Sequence, residues 1–113
     1  MNTQYFRKNI EYAQIIDLKS LVDFDEGKVV GQTLVQGDPL SISVFAVDKD
    51  EQLNFQPSTG DEMIYVMDGT MKATIWGEEY YLNEGEAIVA PANIPHTFKA
   101  VKPLKVLSTI VSP

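Results

Sequence analysis

Apolar and polar residues alternate along most of the chain after residue 28. Ile42, Val44 and Ala46 occupy alternate positions in one segment, and Met71 and Ala73 do the same in another. A period of two places such side chains on one face of a β-strand. The pattern predicts nine short strands: Val29–Gln36, Leu40–Asp48, Gln52–Gln56, Glu62–Asp68, Met71–Trp76, Glu79–Leu82, Ala87–Ala90, His96–Val101 and Leu104–Val111.

Turn-forming residues separate these strands, since glycine permits positive φ and proline presets φ. The pair Asp68-Gly69 lies between two alternating runs and predicts a β-hairpin. The last segment, Leu104–Val111, is apolar on both faces, which indicates either a central strand or one that a partner chain covers. Many short strands without a long helix predict an all-β sandwich or barrel.

The N-terminal part of the chain does not follow this pattern. A group of apolar residues there could share one side of a short helix: Ile15, Ile16, Leu18, Leu21 and Val22. We therefore expect one domain, in which residues 1–27 form an N-terminal arm and residues 28–113 form the barrel.

Composition narrows the function classes. The 113 residues carry a formal net charge of -7, which argues against nucleic acid and anionic membranes because both would repel the chain. The chain contains no Cys, which excludes disulfides, iron–sulfur clusters and a thiolate nucleophile. With one His, a single-chain metal site cannot contain two imidazoles. The N-terminal sequence lacks an apolar signal core, so we expect a cytoplasmic protein.

Two spaced motifs carry a family resemblance. Glu62 is followed after six residues by Gly69, and the intervals between Gly85, Pro91 and His96 match a second motif. This stretch resembles the signature of the cupin superfamily, G-x5-H-x-H-x(3,4)-E-x6-G followed by G-x5-P-x-G-x2-H-x3-N. The resemblance implies a double-stranded β-helix, or jelly-roll barrel. It also implies that Glu62 and His96 face each other inside the barrel toward a shared metal.

The sequence departs from the family where two further histidines would stand. It reads Asn54-Phe55-Gln56-Pro57, one residue further from Glu62 than the family spacing. Asn93 and Ala100 also replace a Gly and an Asn of the second motif. Amide oxygens suit hard cations better than Zn²⁺ or Fe²⁺. We therefore expect no firmly bound transition metal, and at most a weak site for a divalent ion formed by His96, Glu62 and Gln56.

Without a cation, Glu62 and His96 are expected to form a direct hydrogen bond. A carboxylate beside an imidazole favours the protonated ring. Such a pair is a candidate catalytic dyad, resembling the His-centred site of metal-free sugar epimerases and isomerases in the superfamily. Tyr65, Tyr80 or Tyr81 could then supply the acid, provided that one points inward. The alternative is an inherited polar contact that orients strands and catalyses nothing.

Three hypotheses on function stay open. The first is a small-molecule-binding cupin whose pocket includes Asn54, Gln56, Glu62, His96 and Phe98. The second is a cupin enzyme, metal-dependent or a metal-free isomerase or epimerase, that uses His96 and Glu62. The third is a structural or interaction module with a filled cavity. In all three cases the resemblance implies a homodimer, with Val29–Gln36 as the candidate strand for exchange between subunits.

Overall fold

A computed structural model describes residues 10–37, 39–55 and 60–112 of the chain. These residues form one short 3-10 helix, Leu18–Leu21, followed by nine strands. The strands are β1 (Val29–Gln36), β2 (Leu40–Val47), β3 (Gln52–Phe55), β4 (Asp61–Asp68), β5 (Thr70–Ile75), β6 (Glu78–Asn83), β7 (Ala87–Ala90), β8 (His96–Ala100) and β9 (Leu104–Val111). Each predicted strand boundary lies within one residue of the observed one, apart from the predicted end at Gln56, which lies outside the described residues.

The strands form two sheets that pack face to face as a jelly-roll barrel. One sheet has the order β1-β2-β9-β4-β7, and the other has the order β3-β8-β5-β6. The paired strands are antiparallel, with β9 between β2 and β4. The doubly apolar segment Leu104–Val111 is therefore a central strand, which is one of its two predicted positions. β1, the candidate for exchange, pairs with β2 of its own chain.

The space between the sheets contains the main hydrophobic core. Along β4 and β9, buried and more exposed residues alternate, so one set of side chains faces inward. Both sheets contribute to this core: Val47, Leu53, Ile64, Val66, Met71, Ala73, Ile75, Leu82, Ala90, Phe98, Ala100, Leu104 and Val106. Gly31 lets the Phe45 ring pass across β1, because a Cβ at Gly31 would lie 2.7 Å from that ring.

A second core lies on the outer face of the five-stranded sheet. Val44 and Ala46 of β2 are fully buried there, beneath Leu18, Leu21 and Val22 of the N-terminal arm. Leu107 packs against the same cluster from β9. The opposite sheet therefore covers the inner face of the central strands, and the chain's own arm covers part of their outer face.

The described part of the arm, residues 10–27, contains less helix than its apolar residues indicate. Within it only Leu18–Leu21 is helical, and it is a 3-10 helix that begins where the Asp17 side chain accepts a hydrogen bond from the Lys19 backbone N–H at 3.2 Å. Ile15 is fully exposed and Ile16 is partly exposed. Adjacent β-branched residues disfavour continuation of a helix, so the prediction of a helix that includes both isoleucines is wrong.

The prediction of a hairpin at Asp68-Gly69 is also wrong. β4 and β5 flank this pair, but they belong to different sheets and do not pair with each other. Gly69 has φ +89, and a Cβ there would collide with the carbonyl oxygen of Pro103. The glycine thus serves a sharp corner at which the chain crosses from one sheet to the other. The hairpin comes next, at Trp76-Gly77, where β5 pairs with β6 and both turn residues have positive φ.

Substitution of Gly69 by Ala is expected to destabilise the protein more than substitution of Gly85. Both glycines have positive φ, but a Cβ at Gly85 meets nothing within 4 Å. Gly85→Ala should therefore lower the free energy of unfolding only by the cost of positive φ in a residue with a Cβ, about 1–2 kcal/mol. Gly69→Ala adds a backbone collision and should cost at least about 1 kcal/mol more. Urea denaturation measures both, and equal losses would contradict the corner assigned to Gly69.

Candidate functional site

Two neighbouring strands of the five-stranded sheet present Glu62 and Ser108 to the barrel interior. Glu62 on β4 is the cross-strand partner of Ile110 on β9, whereas Ser108 is the partner of Ile64. The two side chains are therefore diagonal neighbours on the same face, a separation across which polar side chains can interact. Both are buried, with 1% and 3% of their surface exposed.

The opposite sheet presents His96, the first residue of β8. It follows a turn in which Asn93 adopts φ +64, the left-handed conformation for which Asn is the best substitute for Gly. Its backbone partners are Ile75 on β5 and Phe55 on β3. The residue is 6% exposed, and its imidazole points across the barrel toward the other sheet.

Three hydrogen bonds join these residues into a cluster. His96 Nε2 lies 3.0 Å from Glu62 Oε1, and Ser108 Oγ donates to Glu62 Oε2 at 2.7 Å. The other ring nitrogen, Nδ1, lies 2.8 Å from the backbone carbonyl oxygen of Ile94. The cluster therefore links both sheets through buried side chains 34 and 46 positions apart in sequence.

The contacts of the imidazole restrict its chemistry. The Ile94 carbonyl can only accept, so Nδ1 carries a hydrogen and donates it. Nε2 faces the carboxylate, so one further hydrogen lies between nitrogen and oxygen. In this arrangement neither ring nitrogen has a lone pair directed at a ligand. His96 could act as a general base only after Glu62 moved away, which weakens the catalytic interpretation of the pair.

Phe98 lies beside the imidazole on the same face of β8. The two ring centroids are 5.2 Å apart with an interplanar angle of 49°, an arrangement typical of tilted aromatic packing. Phe98 has no exposed surface, so in the described structure it packs the histidine in place. A contact between Phe98 and a ligand stays a prediction.

The two amide residues of the predicted site, Asn54 and Gln56, lie at or beyond the end of a described segment. Asn54 is on β3, with Thr97 as its backbone partner, and its side chain is outside the description. Gln56 is outside the described residues altogether. Their predicted roles in binding a ligand or a weakly held ion therefore stay predictions.

The three candidate acids do not bond to the pair. Tyr65 alternates with the buried residues of β4 and lies on the outer face of its sheet. The Tyr80 hydroxyl donates to Glu78 at 3.3 Å, and Tyr81 is 62% exposed. The pairing of Tyr81 with Lys72, whose side chain also faces outward, places it outside the barrel. The condition that the sequence left open, an inward-pointing tyrosine, is therefore not met by Tyr65 or Tyr81.

Ser108 is the functional candidate that the sequence pattern did not identify. It occupies an inward-facing position in the otherwise apolar series Leu104, Val106, Ser108 and Ile110. The sequence signal was a polar residue on the inner face of an otherwise apolar strand, because a buried hydroxyl requires a hydrogen-bond partner.

Whether the cluster fits a divalent metal depends on its donors. The metal site that the family resemblance implies combines imidazoles with a carboxylate, and His96 and Glu62 would supply one of each. The bonds to Ile94 and Ser108 would also orient such ligands. However, no group of three or more His, Asp or Glu side chains suited to a metal ion occurs among the described residues. Since firm sites need at least three protein ligands, the described residues do not fit a firmly bound metal.

Two open grooves on the outside of the barrel border the N-terminal arm. One, of about 560 Å³, is lined by residues of the arm and of β1, among them Phe24 and Val30. The other, of about 530 Å³, lies between the arm and β4, with Leu18 and Tyr65 among its lining residues. Neither groove includes a member of the Ser108–Glu62–His96 cluster.

In the described part of the chain, no helix has the length and apolar character needed to cross a membrane.

Comparison with known proteins supports the family resemblance of the two motifs. A family model described as "Cupin domain" matches residues 43–110, a range that includes Glu62, His96 and Ser108. No protein in the search of curated sequences matches the chain.

Solved structures match over nearly the whole chain. A conserved protein of unknown function from Streptococcus pyogenes is 37% identical, with a TM-score of 0.92, over 99% of this chain and 98% of that one. A cupin superfamily protein from Desulfitobacterium hafniense is 23% identical, with a TM-score of 0.87, over 94% and 97% of the two chains. An RmlC-like cupin protein from Desulfovibrio desulfuricans is 26% identical, with a TM-score of 0.75, over 87% and 95%.

Disruption of the buried pair is expected to destabilise the fold in a coupled manner. Glu62→Ala and His96→Ala should each cost about 2–4 kcal/mol, because each leaves a buried polar group without its partner. The loss in free energy of unfolding of the double variant should be smaller than the sum of the two single losses by at least about 1 kcal/mol. Urea denaturation of the four proteins measures this difference.

The matched control is the exposed pair Lys72 and Glu79, whose charged atoms lie 3.4 Å apart at the barrel surface. Its Ala variants should change the free energy of unfolding by less than about 1 kcal/mol. Additive losses at Glu62 and His96 would show that the two side chains do not interact.

Proposed function

Because this chain belongs to the cupin family, we propose that it binds a small molecule inside its barrel, beside the Ser108–Glu62–His96 cluster. Family membership alone leaves the ligand open, since cupin barrels serve many functions. The proposal rests instead on where this chain has buried its polar groups.

One observation carries the proposal. Among the described residues, the buried polar or charged side chains are Glu62, His96 and Ser108, and all three belong to the same cluster. Burial of a carboxylate and an imidazole costs free energy that an apolar pair would not. An interior that is apolar except for a few convergent polar groups is the usual composition of a small-molecule site.

The geometry favours binding over catalysis. Both ring nitrogens of His96 already have partners, so the imidazole is held as a fixed hydrogen-bonding group. The neighbouring core residues Ile64, Ile75 and Phe98 are apolar. A complementary ligand would combine an apolar face with a small number of polar groups that reach the carboxylate or the Ser108 hydroxyl.

The binding hypothesis predicts that ligands perturb the interior of the barrel and depend on Glu62. Separate additions of monosaccharides, sugar acids, hydroxy acids and aromatic acids to ¹⁵N-labelled protein should identify a class that shifts the amide resonances of Ile75 and Phe98 saturably. Glu62→Gln, which keeps the shape of the side chain, should weaken that class about tenfold or more. The shifts are measured by two-dimensional NMR.

Lys72→Ala is the control, because Lys72 lies on the outside of the four-stranded sheet and should leave the affinity unchanged. If every compound leaves the interior resonances unshifted, or shifts them equally in Glu62→Gln, the proposed function is wrong. A filled structural barrel would give the first of these results.

We further propose that the protein forms a homodimer through the uncovered part of the five-stranded sheet. Met63, Val89 and Val111 project from neighbouring strands on its outer face and are 40%, 54% and 55% exposed. The arm covers the other part of that face. Contiguous exposed apolar side chains are typical of an interface between chains, and a second copy supplies the same apolar surface.

Val89→Lys should weaken the dimer at least about tenfold, since a two-fold axis places two added charges in one apolar contact. Sedimentation velocity over a micromolar concentration series measures the effect. Tyr81→Lys, on the outer face of the other sheet, should leave the dimer intact. A wild-type monomer at micromolar concentration would refute the proposed dimer.

A further inference from the structure

The hydrogens of the buried cluster can be counted from its acceptors. The Ile94 carbonyl requires a hydrogen on His96 Nδ1, which lies 2.8 Å away. The Ser108 hydroxyl donates its hydrogen to Glu62 Oε2. The remaining contact, His96 Nε2 to Glu62 Oε1 at 3.0 Å, requires one hydrogen between the two atoms. Without it, two lone pairs would face each other.

This count makes the Glu62–His96 pair electrically neutral overall. The shared hydrogen can reside on the nitrogen, giving an imidazolium and a carboxylate, or on the oxygen, giving two neutral groups, and the sum is the same. The two side chains are each 2% exposed, so a charge on either of them needs a partner. An uncompensated charge at this depth is strongly unfavourable.

A divalent ion would have to displace the shared hydrogen. Among the described residues it would then find one imidazole and one carboxylate, since these residues offer no group of three such ligands. Two protein ligands are fewer than firm sites use. The competition between the hydrogen and the ion therefore favours the hydrogen.

Ser108 determines which carboxylate oxygen faces the imidazole. Its hydroxyl, 2.7 Å from Oε2, occupies that oxygen and leaves Oε1 directed at Nε2. Ser108 is on the same sheet as Glu62 and on the opposite sheet from His96. It therefore holds the carboxylate through the oxygen that is not bonded to the imidazole.

We propose that a single shared hydrogen joins His96 to Glu62 in place of a divalent metal ion, and that Ser108 is the positioning residue that holds Glu62 for this bond. The proposal concerns the cluster itself and holds whichever ligand the barrel takes. Its test therefore uses no ligand, and its failure would leave the proposed binding function standing or falling on its own experiment.

Labelled histidine gives the resonances of this imidazole alone, because the chain contains one His. In protein labelled with ¹⁵N-histidine, long-range ¹H–¹⁵N correlation should show a hydrogen on Nδ1 and a hydrogen-bonded Nε2 at neutral pH. Excess ZnCl₂ should leave both nitrogen shifts unchanged. A shift of the Nε2 resonance to that of a metal-bound nitrogen would overturn the proposal, and this measurement needs no variant.

The role of Ser108 is tested by exchange of the imidazole hydrogens with water. Ser108→Ala should speed this exchange about tenfold or more, because Glu62 loses the bond that orients it. Ser108→Thr retains the hydroxyl and should restore slow exchange. The control is Ser43→Ala, because Ser43 is the cross-strand partner of Ser108 but its hydroxyl contacts Thr33.

Ser43→Ala should leave the imidazole spectrum unchanged. Exchange in Ser108→Ala equal to that of wild type, or equal acceleration in Ser43→Ala, would show that Ser108 does not position Glu62.

Discussion

The hydrogen bond between Glu62 and His96 is the constraint on which the interior of this protein depends. It spans the two sheets of the barrel, and each partner is buried too deeply to find water in its place. Apolar packing is tolerant of small displacements, whereas a buried pair must keep its distance and direction. The pair therefore ties β4 to β8 across the barrel and defines where the interior is polar.

β9 is the strand that supports this pair, because it carries the serine that is bonded to Glu62. As a central strand it contacts the apolar cores on both sides of its sheet, through Val106 on the inside and Leu107 on the outside. Its inner face also carries Ser108, which anchors Glu62. One strand thus contributes to the barrel core, to the cover beneath the N-terminal arm and to the polar cluster. A substitution that shifted β9 would disturb all three at once.

Local patterning predicted the strands well, because alternation and turn residues act over a few positions. It did not distinguish a hairpin from a corner at Gly69, since that difference lies in the distant backbone of Pro103. Convergence of Glu62 and His96 was implied by the family resemblance of the two motifs, and the local pattern alone did not predict it. Ser108 was missed because its importance depends on a cross-strand diagonal that no local pattern contains. The short 3-10 helix likewise depends on packing of the arm against β2.

Neutron diffraction from crystals of deuterated protein would locate the hydrogens of this cluster, because neutrons scatter strongly from hydrogen isotopes. We expect one nuclear density peak on His96 Nδ1 toward Ile94, one between Nε2 and Glu62 Oε1, and one on Ser108 Oγ toward Oε2. A metal ion between the imidazole and the carboxylate, or side chains of Glu62 and His96 that point to opposite surfaces, would contradict this expectation.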